Sequence, residues 1–224
     1  MKHLTAIVLI ALLPLCAEAQ RIHAFLSSGL TVSQIEGDEL KGFKQLGYSG
    51  GVGAIAALDA NRQWGLSVEA LFSQRGALSS KDPRYSLYYF NVRSSYVEIP
   101  LLVHWQDPWG GMLFGAGLSY GRLIEQPNGR VGNVDTLGFM PDTNDKAFLS
   151  RDLSVVADLR FTIWRGLQMS IRWQYSLLPI KRDWVFNKYN GYYVDANGDR
   201  HNRWITHTND CYNHSITVKL IYQF

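Results

Sequence analysis

The chain is poor in cysteine. Its 224 residues hold two, Cys16 and Cys211. If the segment around Cys16 is removed as a leader, Cys211 stands alone and no internal disulfide can form. Long apolar runs are equally scarce. The longest, Leu4 to Leu15, is shorter than the ~20 residues a membrane-spanning helix needs. No second such run follows, so helical membrane spans are excluded. Charge of one sign is missing too. Lys and Arg number 22 against 19 Asp and Glu, a net +3, which points neither to a nucleic-acid partner nor to an acidic one. Glycines at 50, 51 and 53, and at 115, 117 and 121, sit inside alternating segments. No helix pattern or Gly-Lys-Ser/Thr follows them, so no phosphate loop is expected. No Gly-x-Ser-x-Gly nucleophile elbow is expected either.

What is present begins at the N-terminus. Met1-Lys2-His3 is a short basic start, Leu4 to Leu15 is apolar, and Ala17-Glu18-Ala19 is a small-x-small cleavage site before Gln20. These are the three parts of a secretory signal peptide in order. The expected division is a signal peptide over 1–19 and a single domain over 20–224. Acylation at Cys16 is disfavoured, because Leu15 stands where a small residue should precede it. Cleavage removes Lys2 and Glu18, leaving 21 basic against 18 acidic residues.

The other end carries the strongest single segment, His214 to Phe224. Ile216, Val218, Leu220, Tyr222 and Phe224 fall on one face of a strand, and Ser215, Thr217, Lys219 and Gln223 on the other. The apolar face ends in aromatics, as the closing strand of a transmembrane barrel does. Tyr222 and Phe224 are read as a terminal aromatic assembly signal.

Seven further segments alternate in the same way, over 22–34, 48–58, 64–74, 95–105, 112–124, 153–163 and 167–177. The last is the cleanest: Leu167, Met169, Ile171, Trp173, Tyr175 and Leu177 alternate with Gln168, Ser170, Arg172, Gln174 and Ser176. Each is about ten residues long, enough for a tilted strand to cross a bilayer. None shows the i, i+3, i+4, i+7 spacing of an amphipathic helix. The connections sort by length: 59–63, 107–110 and 164–166 are short, whereas 35–47, 75–94, 125–152 and 178–213 are long. Short turns therefore share one end, the periplasmic one, with both termini, and long loops share the other. On this pattern Asn61 and Trp109 face the periplasm, and Asn128, Asp142 and Asn197 the exterior. The expected fold is all-β: an eight-stranded antiparallel up-and-down transmembrane β-barrel with long extracellular loops. A soluble lipocalin-like barrel would reverse the faces, with apolar side chains inside.

Three stretches carry a resemblance: Leu71-Phe72-Ser73-Gln74-Arg75-Gly76-Ala77, Tyr96-Val97-Glu98-Ile99-Pro100-Leu101-Leu102 and the closing Leu220-Ile221-Tyr222-Gln223-Phe224. With the order of segments, they resemble the PorT-like outer-membrane β-barrel family over nearly all of the chain after the leader. The resemblance implies an eight-stranded barrel in a diderm bacterium. The family's namesake is tied to protein secretion, a role not carried over to this chain.

The inward positions include Glu69, Glu98, His104, Asp158, Arg160, Arg172 and Lys219, with Tyr96 beside them. An eight-stranded bore is just wide enough for side chains to fill, and buried charges must pair. These residues are therefore expected to form a structural lumen polar network. Three acids against three bases allow full pairing.

His201, His207, Cys211 and His214 have five and six residues between successive histidines, which matches no zinc spacing. Asp195-Ala196-Asn197-Gly198-Asp199 starts like a calcium loop, but Arg200 stands where its glycine should be. Asn197-Gly198 reads instead as the turn of a small β-ribbon in the fourth loop. No catalytic residue, cofactor or metal site is expected. The expected role is structural, binding or secretion-associated, exerted through the loops. A narrow passive pore and a surface-loop hydrolase are the alternatives. Expected partners are outer-membrane lipid, the barrel-assembly machinery and an unidentified protein at the loops. A monomer, with no nucleic acid, is expected in the cell outer membrane.

Overall fold

The computed structural model describes residues 22–38, 42–78, 90–109, 111–125, 130–131, 139–141 and 148–224. Residues 1–19, read from the sequence as a signal peptide, and the positions Asn128 and Asp142 lie outside the described residues. The strands are β1 (Ile22–Glu36), β2 (Gln45–Ala57), β3 (Trp64–Leu78), β4 (Phe90–Gln106), β5 (Met112–Glu125), β6 (Arg130–Val131), β7 (Phe139–Pro141), β8 (Arg151–Trp164), β9 (Leu167–Ser176), β10 (Lys181–Val194) and β11 (Arg200–Gln223). β1, β2, β3, β4, β5, β8, β9 and β11 pair antiparallel in that order. β1 returns to β11, from Phe25 opposite Gln223 to Glu36 opposite Tyr212. The sheet is thus a closed eight-stranded barrel, and closure removes the unpaired edges that a bilayer would not tolerate.

The short connections are tight turns. In the one after β2, the Asp59 carboxylate accepts the Trp64 N–H at 2.8 Å. In the one after β8, Gly166 takes a φ of 74°, a left-handed conformation open to glycine at little cost.

Each barrel strand shows one face to the outside and one to the lumen. Trp64, Trp105, Phe114, Trp164, Tyr222 and Phe224 ring the end with the short turns. Tyr48, Phe72, Tyr120, Trp173, Tyr175 and Tyr212 ring the other end. The rings of Tyr48 and Phe72 stack at 5.3 Å, and those of Tyr175 and Tyr212 at 6.2 Å. Ten residues separate Tyr212 from Tyr222. At ~3.3 Å per residue and a tilt of ~40°, that is about 25 Å along the barrel axis, the height of an outer-membrane apolar band.

Three strands run further than their alternation suggests. β3 reaches Leu78, β4 starts at Phe90, and β11 starts at Arg200 instead of His214. The first twelve residues of β11 leave the barrel and pair with β10, from Lys181 opposite Cys211 to Val194 opposite Arg200. The expected ribbon is therefore present. Its turn spans Asp195 to Asp199: the Gly198 N–H bonds the Asp195 carbonyl at 3.1 Å, and Gly198 has a φ of 88°. β7 adds a third strand beside β10, and β6 pairs with the outer end of β4. These extensions mix polar and apolar residues without regular alternation, so no lipid-facing pattern marks them. Their backbone groups are satisfied by pairing with each other.

Candidate functional site in the lumen

Strand pleating sends alternate side chains into the bore, and the bore is full. Arg160, Arg172, Tyr96, Phe25 and Lys219 are among its largest fully buried side chains. Small residues on the facing strand make the room. A Cβ added at Gly115 would lie 2.5 Å from Nδ1 of His104, and one at Gly53 would lie 2.4 Å from Cζ of Phe25.

The charges form two clusters. In the one nearer the periplasm, Glu69 on β3 accepts from three bases. Arg172 donates through Nη2 at 2.6 Å and Nη1 at 3.2 Å, Lys219 through Nζ at 2.9 Å, and Arg160 through Nη2 at 3.3 Å. Asp158 accepts from Nε of Arg160 at 2.8 Å, from Nη2 of Arg172 at 3.2 Å and from the Ser170 hydroxyl. The Arg160 guanidinium also lies 5.1 Å from the Phe25 ring centroid. Two acids here face three bases.

The second cluster lies nearer the loops. Glu98 accepts from Arg75, from Ser73, from Ser119 at 3.0 Å and from Gln174 at 2.9 Å. Asp152 accepts from Ser176 at 2.8 Å, Ser154 and Asn213 at 3.0 Å, and Arg75 at 3.4 Å. Asn213 also donates to the Tyr96 hydroxyl at 3.2 Å. Here one base faces two acids.

Every one of Glu69, Glu98, His104, Asp158, Arg160, Arg172 and Lys219 points into the lumen and is buried. They do not form one network. Glu69, Asp158, Arg160, Arg172 and Lys219 meet in the first cluster, while Glu98 belongs to the second. His104 stands beside the clusters, with Nε2 2.7 Å from the Ser67 hydroxyl. Pairing three acids with three bases therefore misses two of the three charges of the second cluster. Arg75 and Asp152 complete it, giving four acids and four bases. Both residues fall just outside the lipid-crossing alternation, in segments that read as loops. Their inward parity with Ser73 and Ser154 is the signal that could have found them.

Both ends of the lumen are closed off from its middle. At the loop end Ile35, Ala77, Val92, Ile180 and Cys211 pack as an apolar layer with Phe148 against it. At the periplasmic end a vestibule of about 380 Å³ opens between His23, Gln63, Gln106, Thr162, Gln168 and Gln223. One register step deeper lie Phe25, His104, Arg160 and Ile221, none more than 2% exposed.

The remaining candidates disperse. His201 lies on the ribbon, 3.0 Å from the Asp195 carboxylate. Cys211 is buried in the apolar layer. His214 faces outward and accepts from the Trp173 indole at 2.7 Å. Among the described residues, no three His, Cys, Asp or Glu side chains converge as a metal site. Contrary to expectation, Gly117-Leu118-Ser119-Tyr120-Gly121 does have the spelling of a nucleophile elbow. It lies within continuous strand β5, with Ser119 buried and donating to Glu98. An elbow needs a sharp strand-to-helix turn. Tyr222 and Phe224 meet edge to face at 5.2 Å on the periplasmic rim, where the Phe224 N–H bonds the Ala24 carbonyl at 2.9 Å.

Solved structures similar to this chain include Ail, the attachment invasion locus protein of Yersinia pestis, in complex with the heparin analogue sucrose octasulfate. It is 13% identical, with 91% of this chain and 99% of that one covered, at a TM-score of 0.43. Neisserial surface protein A is 10% identical, with 90% and 97% covered, at 0.46. A major outer membrane protein from Thermus thermophilus is 11% identical, with 91% and 100% covered, at 0.45. No curated protein matches the chain. The family model for the outer membrane protein beta-barrel domain matches residues 18–182. With a closed eight-stranded barrel and a match over most of its length, this chain belongs to the outer membrane protein beta-barrel domain family.

Proposed function

We propose that the protein is a plugged outer-membrane anchor that presents the β10–β11 ribbon and its neighbouring loops to a binding partner outside the cell, without catalysis. The observation that carries this reading is the division of β11. Its last twelve residues close a filled barrel. Its first twelve extend about 40 Å of strand beyond it, at ~3.3 Å per residue. A bore packed with paired charges favours anchoring over transport. At the ribbon tip Tyr192, Tyr193 and Val194 are each more than half exposed. Tyr193 stacks on His201 at 5.2 Å, and Arg200 lies 4.9 Å from the Tyr192 ring centroid. Exposed, rigid tyrosines of this kind supply contact area at low entropic cost.

In this reading residues 1–19 are removed on export, and residues 20–224 enter the membrane as a monomer through the barrel-assembly machinery, guided by Tyr222 and Phe224. A secretion-associated protein is one candidate partner for the ribbon. A photo-crosslinking side chain in place of Tyr193 tests the binding role in native outer membranes. One defined crosslinked species is expected, lost when Tyr192 and Arg200 are changed to Ser. Purified protein in planar bilayers should show no stable conductance. A reproducible conductance that changes selectivity on altering Arg172 or Lys219 would overturn the plugged reading in favour of a narrow pore.

A further inference from the structure

On the outer wall, Arg122 of β5 stands directly opposite Arg151 of β8. Both side chains are exposed on the face that meets the bilayer. Like charges directly opposite on antiparallel strands repel, because their Cβ atoms are only ~5 Å apart. Each lumen arginine is paired with carboxylates. Neither Arg122 nor Arg151 has an ion-pair partner among the described residues. The neighbouring acids are turned away or occupied: Asp152 points into the lumen, and Glu125 is held by the Ser95 hydroxyl at 3.3 Å.

The pair also sits at a particular height. Thirteen residues of β8 separate Arg151 from Trp164 on the periplasmic rim. At ~3.3 Å per residue and ~40° tilt, that is about 33 Å along the membrane normal, beyond the ~25 Å apolar band. The two guanidinium groups thus lie at the level of the outer-leaflet headgroups. Directly below them, Tyr120 stands opposite Leu153 and Leu118 opposite Val155. Val97 flanks Arg122 on β4. Tyr120, Leu118 and Val97 are each about half exposed, a smooth apolar wall for an acyl chain.

We propose that Arg122 and Arg151 together clasp the phosphate of an outer-leaflet lipid, whose acyl chain lies along Tyr120, Leu153 and Leu118. Two guanidinium forks can share one phosphate, each donating parallel N–H bonds to its oxygens. The bound anion converts a repulsive cross-strand pair into a bridged one. The site is independent of the ribbon and rests only on the barrel's orientation in the membrane.

The test uses the whole chain in nonionic detergent, as wild type, Arg122→Gln, Arg151→Gln and the double variant. Each is melted with phosphatidic acid, with diacylglycerol of the same acyl chains, or with inorganic phosphate alone. Without lipid, the single variants should melt at or above the wild-type temperature, since they relieve the repulsion and leave the fold intact. Phosphatidic acid should raise the wild-type melting temperature, and most of that rise should vanish in the double variant. Native mass spectrometry should show one retained phosphatidic acid on the wild type and roughly tenfold less on the double variant. An equal rise in the double variant would overturn the site. An equal rise with diacylglycerol would reduce it to apolar contact, and an equal rise with inorganic phosphate alone would show an anion site with no lipid. Either result also refutes the proposal.

Discussion

Replacing Arg75 by Met should destabilise the barrel more than replacing Arg172 by Met, although Arg172 makes more charged contacts. The two clusters explain the inversion. Around Glu69 and Asp158, removing Arg172 leaves two acids and two bases. Lys219 remains 2.9 Å from Glu69, and Arg160 remains 2.8 Å from Asp158. What is lost is a set of charged hydrogen bonds, partly offset by relief of repulsion among three cations, so about 1–3 kcal/mol is expected. Around Glu98 and Asp152, Arg75 is the one base among the described residues. Without it both carboxylates stay buried on neutral donors alone: Ser73, Ser119 and Gln174 on one, and Ser154, Ser176 and Asn213 on the other. Stripping a buried pair of one partner typically costs about 3–5 kcal/mol. Methionine keeps most of the arginine stem's volume, so a cavity contributes little. Urea unfolding in lipid vesicles, followed by tryptophan fluorescence and the heat-modifiable gel shift, reads the difference. Adding Asp152→Asn to the Arg75→Met chain should recover part of the loss, since it removes one of the two stranded charges. An Arg172→Met chain as unstable as Arg75→Met, or no recovery from Asp152→Asn, would refute the two-cluster account.

Other consequences are open to direct measurement. Ile171 lies opposite Val218, near the middle of the span from Tyr212 to Tyr222, so Ile171→Arg places a charge on the lipid face and should cost about 2–4 kcal/mol in the same unfolding assay. Gly115→Ala drives a methyl group into the His104 ring and should cost about 1–3 kcal/mol by overpacking. His104→Ser should restore most of that loss, whereas Ser67→Ala should not. At the ribbon tip, His201 and the backbone N–H groups of Asp199 and Asn197 hold the Asp195 carboxyl below its ordinary range. A lowered folded value means that the turn's stabilisation is complete above ~4. It is lost as the pH falls through the folded value. Protection of the Asn197 and Asp199 amides, taken relative to the intrinsic exchange rate at each pH, should therefore fall at low pH in the wild type. It should already be low at pH ~6 in Asp195→Asn, and unchanged protection in that variant would refute the role.

The parts of this protein that were legible in its sequence are those governed by local geometry. A pleated strand turns alternate side chains to opposite faces, so Leu167 to Ser176 could be sorted into lipid-facing and lumen-facing residues one by one. Loop lengths fixed which end of the barrel is which, because the short turns and both termini must share a side in an even-stranded meander. Asn197-Gly198 marked the ribbon's turn through glycine's tolerance of positive φ. The alternation failed at the strand ends. Arg75, Asp152 and residues 200–211 lie beyond the lipid, where no apolar face is required, so nothing local separates strand from loop.

What the tertiary structure alone decided is who meets whom across the lumen. Glu69 contacts Arg160, Arg172 and Lys219, residues 91, 103 and 150 positions away. Those meetings depend on the register of every strand between them and on closure of the sheet. The register of β3 on β4 set Glu98 beside Arg75 and apart from the three cations below it. The register of β5 on β8 brought Arg122 opposite Arg151 on the outer wall. Periodicity determined the face on which each charge lies. Register and closure determined its partner, because a side chain's direction is fixed within two residues, whereas its neighbour across the bore is fixed by the whole chain.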